Sequence, residues 1–306
     1  MSGARERLPA TETVPVRFET AETWPLEELL EGLLERQWRA VAAVAGALPA
    51  LARAVTAAEP RIRRGGRLIY AGAGTSGRIA VQDAVELWPT FSFPPERVAF
   101  VLAGGTVALT RAVEGAEDDV EAARAAVTAL VPGAADVLLA LAASGRTPFV
   151  RAAVTTARAR GTLTVAFVND PRAPLAVEAE HAVILPTGGE FPAGSTRMAA
   201  ATAQKIALNL FSTALMTRLG RVHRGRMVAL RTANAKLAAR ARRLLAELTG
   251  ADEGAVVRAL ADAGGEVPVA LLILRGASPE RARALLTRHG GHVTRALEAL
   301  VDAQRP

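Results

Sequence analysis

The feature that most constrains this chain is a set of five short apolar segments, most of them separated by stretches in which apolar residues recur at helical spacing. Each segment has the length of a buried strand, and strands that alternate with helices form parallel sheets covered on both faces. The pattern predicts an α/β fold with a doubly wound, largely parallel five-stranded sheet. The segments are Arg67 to Ala71, Val98 to Leu102, Val137 to Leu141, Leu163 to Val168 and Ala182 to Leu185.

Helical periodicity dominates the residues before and after these segments. From Trp24 to Ala58 apolar residues recur beside a Glu/Arg face, and Pro49 interrupts them, which predicts two helices or one bent helix. After about Arg231 short helices follow, and Val267 to Leu274 fits either a strand or a buried helix. We predict an N-terminal helical segment (1–60), an α/β ligand-binding domain (61–230) and a small helical C-terminal domain (231–306). Breaks between the last helices are expected at Thr249-Gly250, Gly264-Gly265 and Gly290-Gly291.

The composition excludes several classes of site. The 306 residues include no cysteine, so disulfide scaffolds, zinc ribbons and thiol nucleophiles are excluded together. Residues 1–10 carry charges but lack the apolar core of a signal peptide. No run approaches the roughly 18 uninterrupted apolar residues of a membrane span. We therefore expect a cytoplasmic protein with no membrane partner.

The net charge of +7 raises the question of a polyanionic partner. All of the 37 basic residues except Lys205 and Lys236 are arginines, and they are scattered among Ala-rich helices beside 30 acidic residues. Aromatic residues make up 4% of the chain, which provides no platform for stacking bases. We expect no nucleic-acid partner.

A glycine-rich turn follows the first apolar segment. Gly72, Gly74 and Gly77 fit the GxGxxG pattern of dinucleotide sites. In such a fold the second strand ends in an acidic residue that binds ribose, but here Val98 to Leu102 runs into Ala103-Gly104-Gly105. This difference argues against a nicotinamide cofactor.

Hydroxyl-bearing loops follow three of the predicted strands. A helix N-terminus that carries Ser or Thr offers hydroxyls, free N–H groups and the positive end of the helix dipole to a phosphate. Simple helix capping would produce the same residues in any one of these loops, but three such clusters at strand ends favour a ligand crevice. The predicted phosphate-binding residues are Gly74, Thr75, Ser76, Ser144, Gly145, Thr147 and Ser195.

Four longer motifs identify a family. The segments GRLIYAGAGTSGR, LAGGTVALTRAVEGAEDD, LAASGRTPFV and GSTRMAAATAQKIALNLFSTALMTRLGRV closely resemble the N-acetylmuramic acid 6-phosphate etherases, which have the sugar isomerase (SIS) fold. The resemblance runs from about Leu48 to the segment RHGGHVTRAL and makes residues 61–230 the phosphosugar-binding domain. It implies conversion of N-acetylmuramic acid 6-phosphate to N-acetylglucosamine 6-phosphate and D-lactate in cell-wall recycling, by a homodimer without metal or organic cofactor.

The resemblance also implies two catalytic carboxylates, with Glu86 as the acid and Glu117 as the base. Taken alone, Glu86 fits an ordinary surface position, and Glu117 fits a helix-capping acid among Glu114 to Asp119. Glu86 lies ten residues beyond Ser76, about 15 Å along an unbroken helix, which is too far for one monosaccharide. Either that helix breaks early, or Glu86 faces another part of the crevice, or it serves the site of a second subunit.

The chain departs from the family pattern around the acid. Val85, Leu87 and Trp88 replace smaller or more polar residues, which makes the surroundings of Glu86 more apolar, and Ala199 replaces a lysine. These changes leave open which sugar substituents are accepted. Two alternatives to an etherase remain: a phosphosugar isomerase, which needs one base, and a non-catalytic phosphosugar-sensing regulatory protein. Retention of both glutamates argues against each.

Overall fold

The computed structural model describes residues 9–230, 232 and 235–303. The chain forms two compact units. The first comprises the residues up to Ala84 together with Glu96–Phe211, and the second comprises Val85–Pro95 and the residues from Ser212 onward. The predicted division at residues 60 and 230 stays a prediction, and its residues 1–8, 231, 233, 234 and 304–306 lie outside the described part of the chain.

A five-stranded sheet in which all neighbours are parallel forms the centre of the first unit, as the apolar segments predict. Its observed bounds differ from the predicted ones by one residue in the first and last strands. The first, third and fourth strands are buried along their whole length, which explains why they are continuously apolar. The strands are β1 (Leu68–Gly72), β2 (Val98–Leu102), β3 (Val137–Leu141), β4 (Leu163–Val168) and β5 (His181–Ile184).

Helices cover both faces of this sheet. One face packs on two helices through a buried apolar cluster that includes Ile69, Leu138 and Val150. On the opposite face the Tyr70 hydroxyl donates to Asp83 at 3.0 Å. The helices that begin in this unit are α1 (Leu26–Arg63), α2 (Gly74–Phe91), α3 (Val120–Leu130), α4 (Pro148–Arg158), α5 (Leu175–Glu178) and α6 (Ala199–Arg218), of which α3 and α4 cover the first face.

The N-terminal periodic region forms the single helix α1 rather than two helices. It continues through Pro49 and Pro60, so the proline expected to interrupt the pattern lies inside a helix. By length and composition α1 would be able to cross a membrane, but buried core helices pass the same test. Here α1 packs against β3, β4 and β5, so part of its apolar surface belongs to the core.

Within the described residues the second unit contains the ends of α2 and α6, a short antiparallel hairpin and five further helices. The segment that fitted either a strand or a buried helix, Val267 to Leu274, is helical over Val267–Ile273. Helices end at the expected glycine pairs, where Gly250, Gly264 and Gly290 adopt positive φ. The elements are β6 (Val222–His223), β7 (Arg226–Met227), α7 (Ala235–Thr249), α8 (Glu253–Asp262), α9 (Val267–Ile273), α10 (Pro279–Arg288) and α11 (Val293–Asp302).

The strand order determines where a ligand crevice opens. The strands lie in the order β2-β1-β3-β4-β5, so the chain moves outward in one direction from β1 and in the other from β3. In open α/β sheets ligands bind beyond the carboxyl ends of the strands at such a reversal. The loops that follow β1 and β3 are therefore the ones expected to meet a ligand.

The opposite, amino-terminal edge of the sheet is held together by arginine side chains. The backbone N–H of Arg67 donates to Asp136 Oδ1 at 2.8 Å, and its guanidinium Nη2 donates to Asp136 Oδ2 at 2.7 Å. Arg61 donates to the carbonyl oxygens of Ala134 and Gly161, at 2.7 and 2.9 Å. These bonds connect the loops that precede β1, β3 and β4.

Asp136 illustrates the electrostatics of that edge. Burial alone would raise its pKa, but hydrogen bonds from the Arg67 side chain and from the N–H groups of Arg67 and Gly133 outweigh burial and lower it. The carboxylate is therefore ionised throughout the physiological range and forms an ion pair whose Asp136 side chain is 9% exposed.

Candidate active site

A cleft of about 420 Å³ opens at the carboxyl ends of β1 and β3. Its walls include Gly74, Thr75 and Ser76 from the start of α2, and the loop from Leu141 to Pro148 that leads into α4. The first N–H groups of each helix have no acceptor within the helix, and the helix dipole places positive charge there. Two helix N-termini that meet in one cleft make a site suited to phosphate.

The glycine motif after β1 brings strand and helix into close contact. A Cβ on Gly72 would lie 2.8 Å from the Cα of Gly77, and a Cβ on Gly77 would lie 3.1 Å from the backbone of Gly72. A side chain at Gly72 would therefore force the backbone to shift, and one at Gly77 would be tightly packed against Gly72. Gly74, which begins α2, needs its own positive φ of 52°.

Ser76 is held by a chain of buried amides. Its hydroxyl donates to Gln204 Oε1 at 2.8 Å, and Gln204 Nε2 donates to Asn169 Oδ1 at 3.1 Å. Asn169 in turn donates to the carbonyl oxygen of Leu185 at 3.0 Å. Gln204 and Asn169 are fully buried, so the network fixes the Ser76 hydroxyl, which is not spent on capping its own helix.

The loop after β3 brings a second set of hydroxyls to the cleft. Ser144 lines the cleft and its Oγ accepts from the N–H of Arg146 at 3.2 Å. Thr147 precedes Pro148 at the start of α4, and within the described residues its side chain makes no capping bond. Gly145 adopts φ of 64° against Ala173 and shapes this loop without lining the cleft.

The third predicted loop behaves differently. Gly194 and Thr196 line the cleft, whereas Ser195, although described, does not. The start of α6 is already occupied by Glu190, whose carboxylate accepts from the N–H groups of Ala199 and Ala200 at 3.3 and 2.7 Å. Burial raises the pKa of Glu190, and these hydrogen bonds partly oppose that shift. The third helix N-terminus is therefore not open to a ligand.

Glu117 lies in the cleft. It belongs to the 3₁₀ turn Ala116–Asp118, and it lines both the 420 Å³ cleft and an adjoining cavity of about 240 Å³. The helix that follows is capped by Asp119, whose side chain accepts from the N–H of Ala122 at 2.8 Å. The helix-capping role therefore falls to Asp119 and leaves Glu117 exposed beside the ligand space.

Glu86 lies elsewhere on α2. The helix runs unbroken from Gly74 to Phe91, which excludes the early break that would have brought Glu86 back towards Ser76. Glu86 belongs to the second compact unit, whereas all the residues that line the cleft belong to the first. It is exposed, and Val85 and Trp88 beside it are 54% and 49% exposed.

Similarity to known proteins decides the family. The chain is 49% identical over 288 residues to the N-acetylmuramic acid 6-phosphate etherase of Deinococcus radiodurans, covering 94% of each chain. The chain belongs to the N-acetylmuramic acid 6-phosphate etherase family. The etherase of Streptomyces coelicolor is 47% identical over 260 residues, covering 84% of this chain and 83% of its own.

Two further similarities accompany these etherases. Residues 50–158 match the family model described as the glucokinase regulatory protein N-terminal SIS domain. A solved structure of a phosphoheptose isomerase from Francisella tularensis is 20% identical with a TM-score of 0.47, covering 64% of this chain and 98% of that chain.

Several polar residues of this etherase-family cleft were not predicted from the sequence. Gln204 and Asn169 form the buried network, and Asn169 directly follows β4, a position that signals a ligand edge. Thr11 and Glu12, from the N-terminal segment, also line the cleft, together with Asp118 and Arg146. Within the described residues no three His, Cys, Asp or Glu side chains are grouped so as to hold a metal ion.

Proposed function

We propose that this protein cleaves the D-lactyl ether of N-acetylmuramic acid 6-phosphate and yields N-acetylglucosamine 6-phosphate and D-lactate, a lyase reaction of cell-wall recycling. The observation that carries this proposal is the 49% identity to an etherase over almost the whole chain. The cleft agrees with it, because an acidic side chain and two helix N-termini that suit a phosphate face one space.

The phosphate binds at the starts of α2 and α4. Thr75 lies on one side, where Ser76 redirects its single hydroxyl proton from Gln204 to the phosphate, and Ser144 and Thr147 lie on the other. The N–H groups that begin at Gly74 add further donors, as does the loop that Gly145 shapes. From the third loop Gly194 and Thr196, on either side of Ser195, line the cleft.

The chemistry is an elimination followed by a hydration. In the ring-opened sugar the C1 aldehyde acidifies the C2 proton, which Glu117 removes as general base. The C3–O bond breaks, a C2=C3 double bond forms, and Glu86 protonates the departing lactyl oxygen. Water then adds its hydroxyl at C3 and a proton returns to C2. Two carboxyl groups in different surroundings suit these separate roles.

The protein acts as a homodimer in which Glu86 serves the cleft of the partner subunit. Support comes from the distance along α2 and from exposed apolar residues on either side of Glu86. An exposed apolar stripe on α1, more than half exposed at every position, adds a second surface that a partner would cover. Its members are Leu26, Leu30, Leu34, Trp38, Val41 and Leu48. Light scattering at micromolar concentration tests this state, and a monomer would contradict it.

We place the protein in the cytoplasm, where phosphorylated amino sugars are formed and consumed. The absence of cysteine and the scattered arginines are consistent with a small-molecule enzyme there. The reaction requires no metal and no organic cofactor, because both proton transfers are assigned to carboxyl groups.

The decisive experiment is to incubate the protein with N-acetylmuramic acid 6-phosphate and measure D-lactate. In deuterated water the Glu86→Gln variant should still exchange the C2 hydrogen while releasing lactate poorly, because only the departure of the lactyl oxygen lacks its acid. A variant with wild-type lactate release would show that Glu86 is not that acid. Exchange that is also lost would give Glu86 a role in the first step.

The same assay separates the alternatives. An isomerase would produce a ketose phosphate and no lactate. A non-catalytic sensor would bind the phosphosugar without turnover. The reason to test for one is the similarity of residues 50–158 to a regulatory-protein domain. The curated relatives do not favour either alternative.

A further inference from the structure

The N-terminal segment is anchored to the loop that closes one side of the cleft. The N–H of Gly194 donates to the carbonyl oxygen of Thr11 at 3.0 Å. The ring of Phe18, which is buried, stacks on Phe191 with centroids 5.2 Å apart. Gly189 lets this segment approach, since a Cβ there would lie 2.2 Å from the carbonyl oxygen of Thr13. We call residues 9–24 the N-terminal strap.

Thr11 is a buried strap residue that borders the cleft. Its exposed fraction is zero, and its hydroxyl has no hydrogen-bond partner in the described part of the chain. It lines the 420 Å³ cleft. A buried hydroxyl left without a partner destabilises the folded protein, so such groups are retained where a ligand or water completes their hydrogen bonding.

Glu12 adds a negative charge at the same place. Its carboxylate lies so close to Gly194 that a Cβ on that glycine would be 2.6 Å from Glu12 Oε2. Glu117 and Asp118 line the cleft as well. Three carboxylates disfavour a phosphate nearby, but they accept hydrogen bonds from hydroxyl and amide N–H groups.

The starts of α2 and α4 suit the phosphate, and Thr11 and Glu12 reach the same cleft from the strap. We propose that Thr11 and Glu12 form a specificity subsite that binds the hydroxyl and acetamide groups of the amino sugar, a subsite that rests on the proposed function for the identity of its ligand. Thr11 completes its hydrogen bonding with one such group, and Glu12 accepts from another.

The test compares two ligands on the same protein. Affinities for N-acetylglucosamine 6-phosphate and for inorganic phosphate are measured by calorimetry for the wild type, Thr11→Val and Thr11→Ser. One hydrogen bond contributes about 0.5–1.5 kcal/mol, so Thr11→Val should bind the sugar phosphate about 3- to 10-fold more weakly and inorganic phosphate equally well. Thr11→Ser, which keeps a hydroxyl, should bind the sugar phosphate with wild-type affinity. Thr20→Val, an exposed threonine of the same strap, is the matched control and should change neither.

Glu12→Gln tests the charged half of the subsite without altering a buried position. Loss of the charge should weaken the sugar phosphate about 3- to 10-fold, because charge-assisted bonds are about twice as strong as neutral ones, while inorganic phosphate binds equally or more tightly. Opposite signs for the two ligands are not expected from a merely structural residue.

Three results would overturn the subsite: equal weakening of both ligands, no weakening in Thr11→Val, or Glu12→Gln that weakens inorganic phosphate. Thermal unfolding of each variant shows whether it is folded. If Thr11→Val is unfolded, the two ligand affinities of Glu12→Gln decide whether the subsite exists. Wild-type protein that binds the sugar phosphate but releases no lactate would refute the proposed function and leave the subsite to be judged by binding alone.

Discussion

The two edges of the central sheet differ in whether their polar groups are paired within the protein. At the amino-terminal edge Arg67 and Arg61 donate to Asp136 and to backbone carbonyls of the neighbouring loops, so the protein satisfies its own polar groups. At the carboxyl-terminal edge two helix N-termini, Thr147 without a capping bond and Thr11 with a hydroxyl that has no partner in the described part of the chain line a cleft. The first arrangement stabilises the fold, and the second keeps binding capacity for a ligand.

This difference separates stability from function within one sheet. Loss of a group at the amino-terminal edge leaves a charged partner behind, which raises the free energy of the folded state. Loss of the Glu117 carboxylate, which lies exposed beside the cleft, should leave the free protein little affected, whereas loss of the Ser76 hydroxyl also removes its bond to Gln204. Substitutions at the two edges should therefore have distinct signatures in activity and in unfolding.

The largest effect is expected for Glu117→Gln at the carboxyl-terminal edge. General base catalysis contributes about 10²- to 10⁴-fold, so both C2 exchange and lactate release should fall by that factor while the melting temperature stays unchanged. Glu121→Gln, an exposed acid in the first turn of α3, is the matched control. Wild-type C2 exchange by Glu117→Gln would assign the base to another residue. A large drop in melting temperature would contradict the expectation that this substitution affects activity and not stability.

Asp136→Asn should produce the opposite signature at the amino-terminal edge. Breaking a buried ion pair costs about 3–5 kcal/mol, and because the Arg67 side chain is 29% exposed we expect about 2–3 kcal/mol of lost stability. Urea unfolding measures this loss, and kcat and KM at 25 °C should stay at wild-type values. A variant as stable as the wild type would show that this pair does not stabilise the sheet.

Ser76→Ala should weaken phosphate binding and also cost about 1–3 kcal/mol of stability, because it leaves the buried Oε1 of Gln204 without its donor. A hydrogen bond to a charged group contributes about 1.5–3 kcal/mol, which corresponds to roughly a 10- to 100-fold weaker affinity for inorganic phosphate and for the substrate alike. Thr155→Ala, on the exposed face of α4, is a control that should leave both affinities unchanged. Selective loss of only the sugar phosphate would place the phosphate away from α2.

A smaller effect should appear in the acid dependence of stability. Because the folded-state pKa of Asp136 is lowered, its contribution is complete above the unfolded value near about 4 and is lost as the pH falls through the folded value. Urea unfolding between pH 7 and pH 3 should therefore show a shallower loss of stability in Asp136→Asn than in the wild type. If the free energy of unfolding falls with pH equally in both proteins, Asp136 does not contribute to the acid sensitivity of the fold.

The strands were predictable because buried parallel strands are continuous apolar runs with little ambiguity, and all five matched within one residue. Pro49 was harder, since its effect depends on whether packing compensates for the hydrogen bond that it removes. The helix continues through it while packing on the sheet. Val267–Ile273 was ambiguous because its seven residues, all apolar except Pro268, suit a short buried helix as well as a strand.

The site could be predicted only where local chemistry reveals it. Ser76 and Ser144 follow strands directly, so their position at the sheet edge follows from sequence order. The hydrogen bond from Ser76 to Gln204 joins residues 128 positions apart, and Thr11 reaches the cleft through contacts with a loop near residue 194. Such long-range pairings leave no local pattern, so the sequence did not reveal them.

The contact between Gly72 and Gly77 has a consequence for how glycine motifs are interpreted. Their spacing matches the nucleotide fingerprint, yet here it reflects how tightly a helix crosses the strand that precedes it, since a methyl group at either position would push the two backbones apart. A search for the GxGxxG motif alone would therefore group this chain with nicotinamide-dependent dehydrogenases because of this one turn. What distinguishes them is the residue at the end of the next strand, where an acid is replaced by Ala103 and two glycines.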